Sequence, residues 1–300
     1  MTATAVVVAY GVDALDLAWV PKDVPVVVVH NDDQLPDTGC NHPRVRHVHP
    51  GTNLGFGAGV NLALRQVTTD RVIICNPDVA LQHAHWQALA AGAEHDIVTV
   101  PLVDPSGTPA RVVVPYPTPV GVLSTFSGVV GLMPRGTRRR RLALAAVGDR
   151  AAAHRWSQVT TPGRYPLTDH WVSGAVISVP TALMAAVGGF DELYFLYFED
   201  IDLSQRLARA DPAAGIVVAA TPPAVHLGGG SSGAPDDRRR AAEHRWRSGA
   251  LYARRQHGPA WMLVRLVLPL LRPHRTVPTR GARVRRRSAT VVDTKTSHDR

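Results

Sequence analysis

Six carboxylates, three glycines and an aromatic run fall between Thr168 and Ala210. Within that stretch Glu199-Asp200-Ile201-Asp202 follows directly on Tyr194-Phe195-Leu196-Tyr197-Phe198. Two adjacent acids behind a water-excluding aromatic segment are suited to taking a proton from a hydroxyl. On a helix turning about 100° per residue, Leu203, Leu207 and Ala210 form the apolar face; Glu199 and Asp200 each lie about 50° from its centre and Asp202 about twice as far. Glu199 and Asp200 are therefore expected to lean toward the protein body and Asp202 to cap the helix. The wheel does not separate the first two. A plainer alternative is that all three acids only stabilise the positive helix end. Gly174, Asp191 and Glu192 are taken as contacts of an acceptor or of the loop carrying the acids.

Other residues of chemical interest fall at the ends of apolar runs. Arg71 to Cys75 reads as a strand running into Asn76-Pro77-Asp78. A carboxylate there could hold a divalent cation, Mg²⁺ or Mn²⁺, against a diphosphate, since magnesium takes few protein carboxylates and lets phosphates complete its shell. A simple Asn-Pro-Asp turn is the alternative. Gly51-Thr52-Asn53-Leu54-Gly55-Phe56-Gly57-Ala58-Gly59 offers free N–H groups before a helix, or else a tight turn packed on the sheet. Its spacing matches neither the Rossmann fingerprint nor a P-loop. His226, ahead of a Gly-Ser loop, is either a site residue or structural.

The elements needed to position these residues alternate between strand and helix. Thr4 to Ala9 reads as a strand, Asp13 to Val20 as a helix, and Pro25 to His30 as a parallel strand buried on both faces. The last ends in Asn31-Asp32-Asp33, at the carboxyl edge where open α/β sheets bind ligands. Val45–His49 is a third strand, Trp86–Ala93 a helix and Ile97–Pro101 a strand. A strand over 176–179 and a short helix over 181–187, stopped by Gly188-Gly189, lead to the acids. Gly215–Ala220 is a late strand and Ala241–Gln256 an arginine-bearing helix. Residues 104–165, Pro-rich then Arg-rich, read as an insertion covering the cleft.

Bulk properties bound the function. The 300 residues carry a net charge of +9 and are 45% hydrophobic, enough for one large α/β domain or two small ones. Basic runs at Arg138–Arg141, Arg238–Arg240 and Arg285–Arg287 suit anionic partners. Two cysteines, Cys40 and Cys75, argue against a disulfide framework and for a reducing cytoplasm. Met1 to Gly11 lacks the basic start and cleavage site of a signal peptide, and no uncharged apolar run is long enough to span a bilayer. Trp261–Leu271, short, apolar and interrupted by Arg265 and Pro269, fits a helix on an anionic membrane surface or one packed on the domain.

Taken in order, VVVVHNDD (26–33), GTNLGFGAGVN (51–61), NPD (76–78) and SGAVISV…VGGFDELYFLYFEDIDLSQRL (173–207), followed by His226, resemble the family 2 glycosyltransferases of GT-A fold. Among them the chain resembles the actinobacterial rhamnosyltransferases that act on polyprenyl-diphosphate-linked N-acetylglucosamine. The likeness covers roughly residues 4–232. It implies a Rossmann-like, mostly parallel central sheet flanked by helices, a nucleoside-diphosphate sugar donor and inversion at the anomeric carbon. On matching positions Asn31 and Asp32 would lie near the nucleoside, Asn53, Gly55 and Asn76 near the donor, and Asp78 would carry the metal with His226 as a further contact. Asp200 would be the catalytic base, with Glu199 beside it. Where the family's strands usually end in Tyr-Asn and Asp-Asn, this chain has Tyr10-Gly11 and His30-Asn31.

The expectation is thus a glycosyltransferase domain over 1–235, C-terminal helices over 236–275 that meet the membrane, and a basic tail over 276–300. Its activity would be transfer of a sugar, L-rhamnose from dTDP-rhamnose by the resemblance, to a lipid-linked saccharide at the cytoplasmic membrane face. A sugar-phosphate nucleotidylyltransferase would need a glycine- and lysine-rich motif after the first strand, and none is present. A non-catalytic nucleic-acid-binding protein rests on charge alone, without interleaved stacking aromatics, so no nucleic-acid partner is expected.

Overall fold

A computed structural model describes residues 1–12, 15–32, 42–127, 161–228 and 235–272, with 235–238 as backbone only. The expectations for Cys40, for Arg138–Arg141, for the Gly-Ser loop beyond Gly228 and for the tail from 276 lie outside these residues.

The β-branched runs do what continuous apolar character requires and form the middle of a sheet. Strands β1 (Ala3–Ala9), β2 (Val26–His30) and β4 (Arg71–Cys75) are buried along their whole length. β3 (Val45–Val48) lies outside β2. The remaining strands are β5 (Val79–Ala80), β6 (Asp96–Thr99), β7 (Leu102–Val103), β8 (Val113–Pro115), β9 (Gly163–Pro166), β10 (His170–Val172), β11 (Val176–Pro180), β12 (Gly215–Val218) and β13 (Ala224–His226). The main sheet runs β3-β2-β1-β4-β11-β6-β12-β9. Its pairs are parallel except those of β11 with β4 and β6, and of β9 with β12. This is the mixed α/β, mostly parallel sheet expected from the sequence.

The helices are α1 (Phe56–Leu64), α2 (His83–Ala90), α3 (Pro119–Ser127), α4 (Thr181–Ala186), α5 (Glu199–Ala210), α6 (Pro235–Arg255) and α7 (Pro259–Val267), the last followed by a 3-10 turn over Leu268–Leu271. α2 begins three residues before the expected Trp86 because Gln82 and His85 form a reciprocal capping box. The helix expected over 13–20 is corrected. Residues 15–20 form a turn, in which Asp16 accepts a bond from the Ala18 N–H at 2.9 Å and the Trp19 indole N–H bonds the Asp16 carbonyl at 3.2 Å. An aspartate that satisfies its own backbone this way competes with helix, while Leu15, Leu17, Trp19 and Val20 still bury their side chains.

The segment 104–165 is not a single covering insertion as far as it is described. β8 and β10 pair as a two-stranded ribbon, and β9 supplies an edge of the main sheet. α3 packs with α7, where Val122, Ala253, Val264 and Leu268 form a second small core. Among the described residues no helix is long and apolar enough to cross a membrane.

Candidate active site

The glycine loop and the aromatic segment are built as one unit. Asn31, buried at the end of β2, donates both amide hydrogens, to Asn53 Oδ1 and to the Gly55 carbonyl, each at 3.0 Å. Its Oδ1 accepts from the Leu54 N–H at 2.9 Å. Gly55 has φ +86°, and a Cβ there would overlap the Phe195 carbonyl oxygen, which instead accepts the Phe56 N–H at 3.0 Å. Gly55 is therefore required by both conformation and space. Asn61 adds a second clasp, exchanging hydrogen bonds of 2.8 Å with the backbone of Phe190 in both directions.

Above this unit lies a cavity of about 340 Å³. Its lining comes from the ends of β1, β2 and β4 (Tyr10, Asn31, Asn76, Asp78), the loop (Asn53, Gly55), the aromatic segment (Phe195, Tyr197) and α6 (Arg240, His244). It thus opens at the carboxyl edge of the parallel strands, as open α/β sheets dictate. Asp78 lines it, and the His226 Nε2, outside the lining, lies 3.3 Å from Asp78 Oδ1. Burial pushes the Asp78 carboxyl up, but the His226 ring and N–H groups including that of Gly228 outweigh it, so its pKa is lowered. An ionised carboxylate and an imidazole side by side fit a divalent cation whose other positions are taken by phosphate oxygens. Among the described residues no three His, Cys, Asp or Glu side chains gather for a metal, so the protein would supply only part of such a shell.

The acid pair sits next to this cavity, not in its lining. Tyr197 and Phe198 both have φ +68°, the left-handed region that aromatic residues rarely adopt. That double turn delivers Glu199 and Asp200 to the start of α5. Asp200 Oδ2 accepts the Gly174 N–H at 3.3 Å and Oδ1 the Ile201 N–H at 2.9 Å. A Cβ on Gly174 would approach both the Phe56 ring, at 3.3 Å, and Asp200, at 3.6 Å; Phe56 itself lines the cavity. The Asn76 N–H bonds the Ala175 carbonyl at 2.8 Å, which joins the Asp78 turn to the Gly174–Asp200 contact. Burial pushes the Asp200 carboxyl up to about 6. Glu199 is buried, its Oε2 has no hydrogen-bond partner, and burial with the adjacent Asp200 raises its pKa well above the usual range. Asp200 accepts two N–H bonds that favour its carboxylate, while Glu199 Oε2 accepts none, so of the pair Asp200 is the better placed to carry the negative charge.

Two expectations change, for Asp202 and Asp32, and for Asp191 and Glu192 the loop alternative is the one found. Asp202 does not cap α5; it is buried, and its carboxylate holds Arg206 at 2.7 Å and Arg255 at 3.4 Å. The N-cap position belongs to Phe198, without a side-chain cap bond. Asp191 pairs with Arg255 and with the Leu193 N–H, so it ties the loop to α6. Glu192 accepts from Asn61 at 3.0 Å and serves the loop as well. Asp32 closes the turn after β1 by accepting the Gly11 N–H at 3.0 and 3.1 Å, away from the cavity lining.

The sequence reading missed the contribution of α6. His244 stacks on Phe195 at 4.5 Å, Arg245 sits 4.4 Å over the Tyr197 ring, and the Ser248 hydroxyl bonds the Leu196 carbonyl at 2.9 Å. The basic character of 238–247 was the available signal, but only the fold shows that this helix lies along residues 191–198.

No family model matches the chain. It is 29% identical over 191 residues to the N-acetylglucosaminyl-diphospho-decaprenol L-rhamnosyltransferase of Mycobacterium tuberculosis, a match covering 56% of this chain and 55% of that protein. The chain thus spans about half the length of the curated relative. Among solved structures, S. aureus TarS matches 87% of this chain and 41% of its own at 16% identity and a TM-score of 0.49. The Pyrobaculum calidifontis mannosyltransferase PcManGT, crystallised with GDP-Man and Mn²⁺, matches 90% of this chain and 67% of its own at 14% identity and a TM-score of 0.46. The likeness carried by the four motifs, to glycosyltransferases and among them to rhamnosyltransferases of polyprenyl-diphosphate-linked N-acetylglucosamine, is matched by the curated relative.

Proposed function

We propose that this chain is an inverting glycosyltransferase that moves a sugar from a nucleoside-diphosphate donor to a hydroxyl of a lipid-linked saccharide, with Asp200 as the base. The observation that carries this reading is the Glu199–Asp200 pair, Glu199 buried and Asp200 half-buried, set by two left-handed residues beside a cavity lined by Asp78, which His226 contacts. The cavity would take the donor. Asn53 and Gly55 shape its floor, and Asp78 with His226 would hold a divalent cation, which when bound offsets charge on a departing diphosphate. Asp200 accepts the proton of the acceptor hydroxyl as that oxygen bonds the anomeric carbon and the diphosphate leaves from the opposite face. Glu199 keeps its own proton and, by remaining neutral, avoids a second negative charge next to Asp200. Rhamnose, from dTDP-rhamnose, and a polyprenyl-diphosphate-linked N-acetylglucosamine acceptor are the substrates to test first, because the Mycobacterium tuberculosis relative bears that name.

A lipid-linked acceptor calls for a membrane-facing surface on the cytoplasmic side. Met262, Leu263, Leu266 and Leu270, on α7 and the 3-10 turn, are 59%, 56%, 73% and 80% exposed. Such an apolar face on a basic protein suits peripheral contact with anionic lipid. The test of the activity is single-turnover transfer with Asp200→Asn and Asp78→Ala. Asp200→Asn should bind donor and lose about 10²–10⁴-fold in rate; Asp78→Ala should lose the metal-dependent part of donor binding. Transfer by Asp200→Asn at the wild-type rate would refute the assignment.

A further inference from the structure

We infer that Arg240, with His244 beside it on α6, forms a diphosphate-binding wall of the cavity that Asp78 also lines. This rests on the reading of the cavity as a site for diphosphate-linked substrates and names residues for it outside the four motifs.

Arg240 and His244 are one helical turn apart and both line the cavity. Arg240 is exposed and has no carboxylate partner among the described residues. The other α6 arginines with described contacts are engaged: Arg245 on Tyr197, Arg247 with Glu243, and Arg255 with Asp191 and Asp202. A guanidinium left unpaired in a cavity is a fork of donors matched to phosphate oxygens. His244 is oriented by its stack on Phe195, while burial, then Arg247 and Arg240, lower its pKa and Glu243 opposes them. It therefore serves as a neutral hydrogen-bonding group, and the positive charge is Arg240's. A diphosphate in the cavity carries negative charge that its lining must offset. A cationic side chain in the same lining supplies part of that offset, whether or not a cation sits at Asp78. The rigid seat of α6 on the aromatic segment fixes where that charge stands.

Two substrates of the proposed reaction carry a diphosphate, the nucleotide donor and the prenyl acceptor. Binding of three probes would be measured calorimetrically with Mg²⁺: dTDP, geranyl diphosphate and inorganic pyrophosphate. The proteins are the full chain, Arg240→Gln, and Arg239→Gln as a charge control whose side chain does not line the cavity. Arg240→Gln should weaken at least one probe by about ten- to a hundredfold, the range for a lost charged hydrogen bond, with Arg239→Gln within about twofold of wild type. Loss confined to dTDP assigns the wall to the donor; loss confined to geranyl diphosphate assigns it to the acceptor. Thymidine, which lacks phosphate, should bind both proteins alike. Unchanged affinity for all three probes, an equal loss in Arg239→Gln, or no binding of any probe to wild type overturns the inference. Sugar transfer by wild type, measured separately, tells that outcome from failure of the glycosyltransferase reading.

Discussion

Asp200→Asn should change stability in opposite directions at the two ends of the pH range. The Asp200 carboxyl ordinarily ionises near 3.8 and burial raises it to about 6. A raised carboxyl contributes stability that is complete below the unfolded value and lost as pH rises through the folded one. Between about pH 4 and 6 the native protein therefore loses stability that the unfolded chain does not. The gap between 3.8 and about 6 corresponds to about 3 kcal/mol, because one pKa unit is 1.36 kcal/mol. Asparagine carries no charge, so it escapes that loss. It also turns an NH₂ toward the Gly174 or Ile201 N–H, where Asp200 accepted two bonds, which costs about 1 kcal/mol. The net expectation at pH 8 is a gain of about 2 kcal/mol, or about 3 °C in Tm for a chain of this size. At pH 4 it is a loss of about 1 kcal/mol. Thermal unfolding of both proteins across pH 4–8 checks this, with transfer assayed on the same samples. An Asp200→Asn protein as destabilised at pH 8 as at pH 4 would mean that burial is not what raises this carboxyl, and its role as a tuned base would fall with it.

The wild-type rate should follow a single ionisation near pH 6 on its acid side, absent from the residual rate of Asp200→Asn. Glu199→Gln should keep most activity, because a protonated glutamic acid and a glutamine differ little in shape or charge; loss as deep as that of Asp200→Asn would move the base one residue back. Gly55→Ala should cost more than about 2 kcal/mol in urea unfolding, since φ +86° disfavours it and its Cβ overlaps the Phe195 carbonyl. A near-neutral result would show that the loop and the aromatic segment can separate freely. Leu266→Glu with Leu270→Glu should leave Tm within a degree or two and lower partition into anionic vesicles by more than tenfold, each exposed leucine being worth about 1.5–3 kcal/mol when buried; unchanged partition would remove this face from the membrane.

How much was legible depended on how local the cause was. β1, β2 and β4 are continuous apolar runs, and burial on both faces leaves such runs little choice. Asp78 and the Glu199–Asp200 pair could be named as candidates because each stands at an element boundary, where turn chemistry and helix onset are written in neighbouring residues; the choice of Asp200 over Glu199 came from the resemblance alone. Asp202 went wrong for the opposite reason. Its partners, Arg206 at four residues and Arg255 at fifty-three, pull it inward against the wheel, since a buried ion pair outweighs the orientation of an isolated helix. The 13–20 helix failed on a contest within five residues, where Asp16 satisfied backbone groups that a helix would have needed.

The hidden part of the site has a common cause, which is strain that must be held from afar. Tyr197 and Phe198 in left-handed conformation cost about 1–2 kcal/mol each relative to ordinary backbone. Contacts from α6 help offset it: the stack of His244 on Phe195, Arg245 over Tyr197, the Ser248 bond to Leu196 and the packing of Tyr252 against Phe198 at 5.4 Å, beside the Phe126 ring of α3 stacked on Phe198 at 6.4 Å. Arg255 closes the same seam on Asp191 and Asp202. The helix that carries Arg240 to the cavity is thus the helix that keeps Asp200 in place beside it. Anything that loosens α6 should disturb the acid pair and the diphosphate wall together. For that reason residues 236–255 belong with the proposed site, although the motifs end before them.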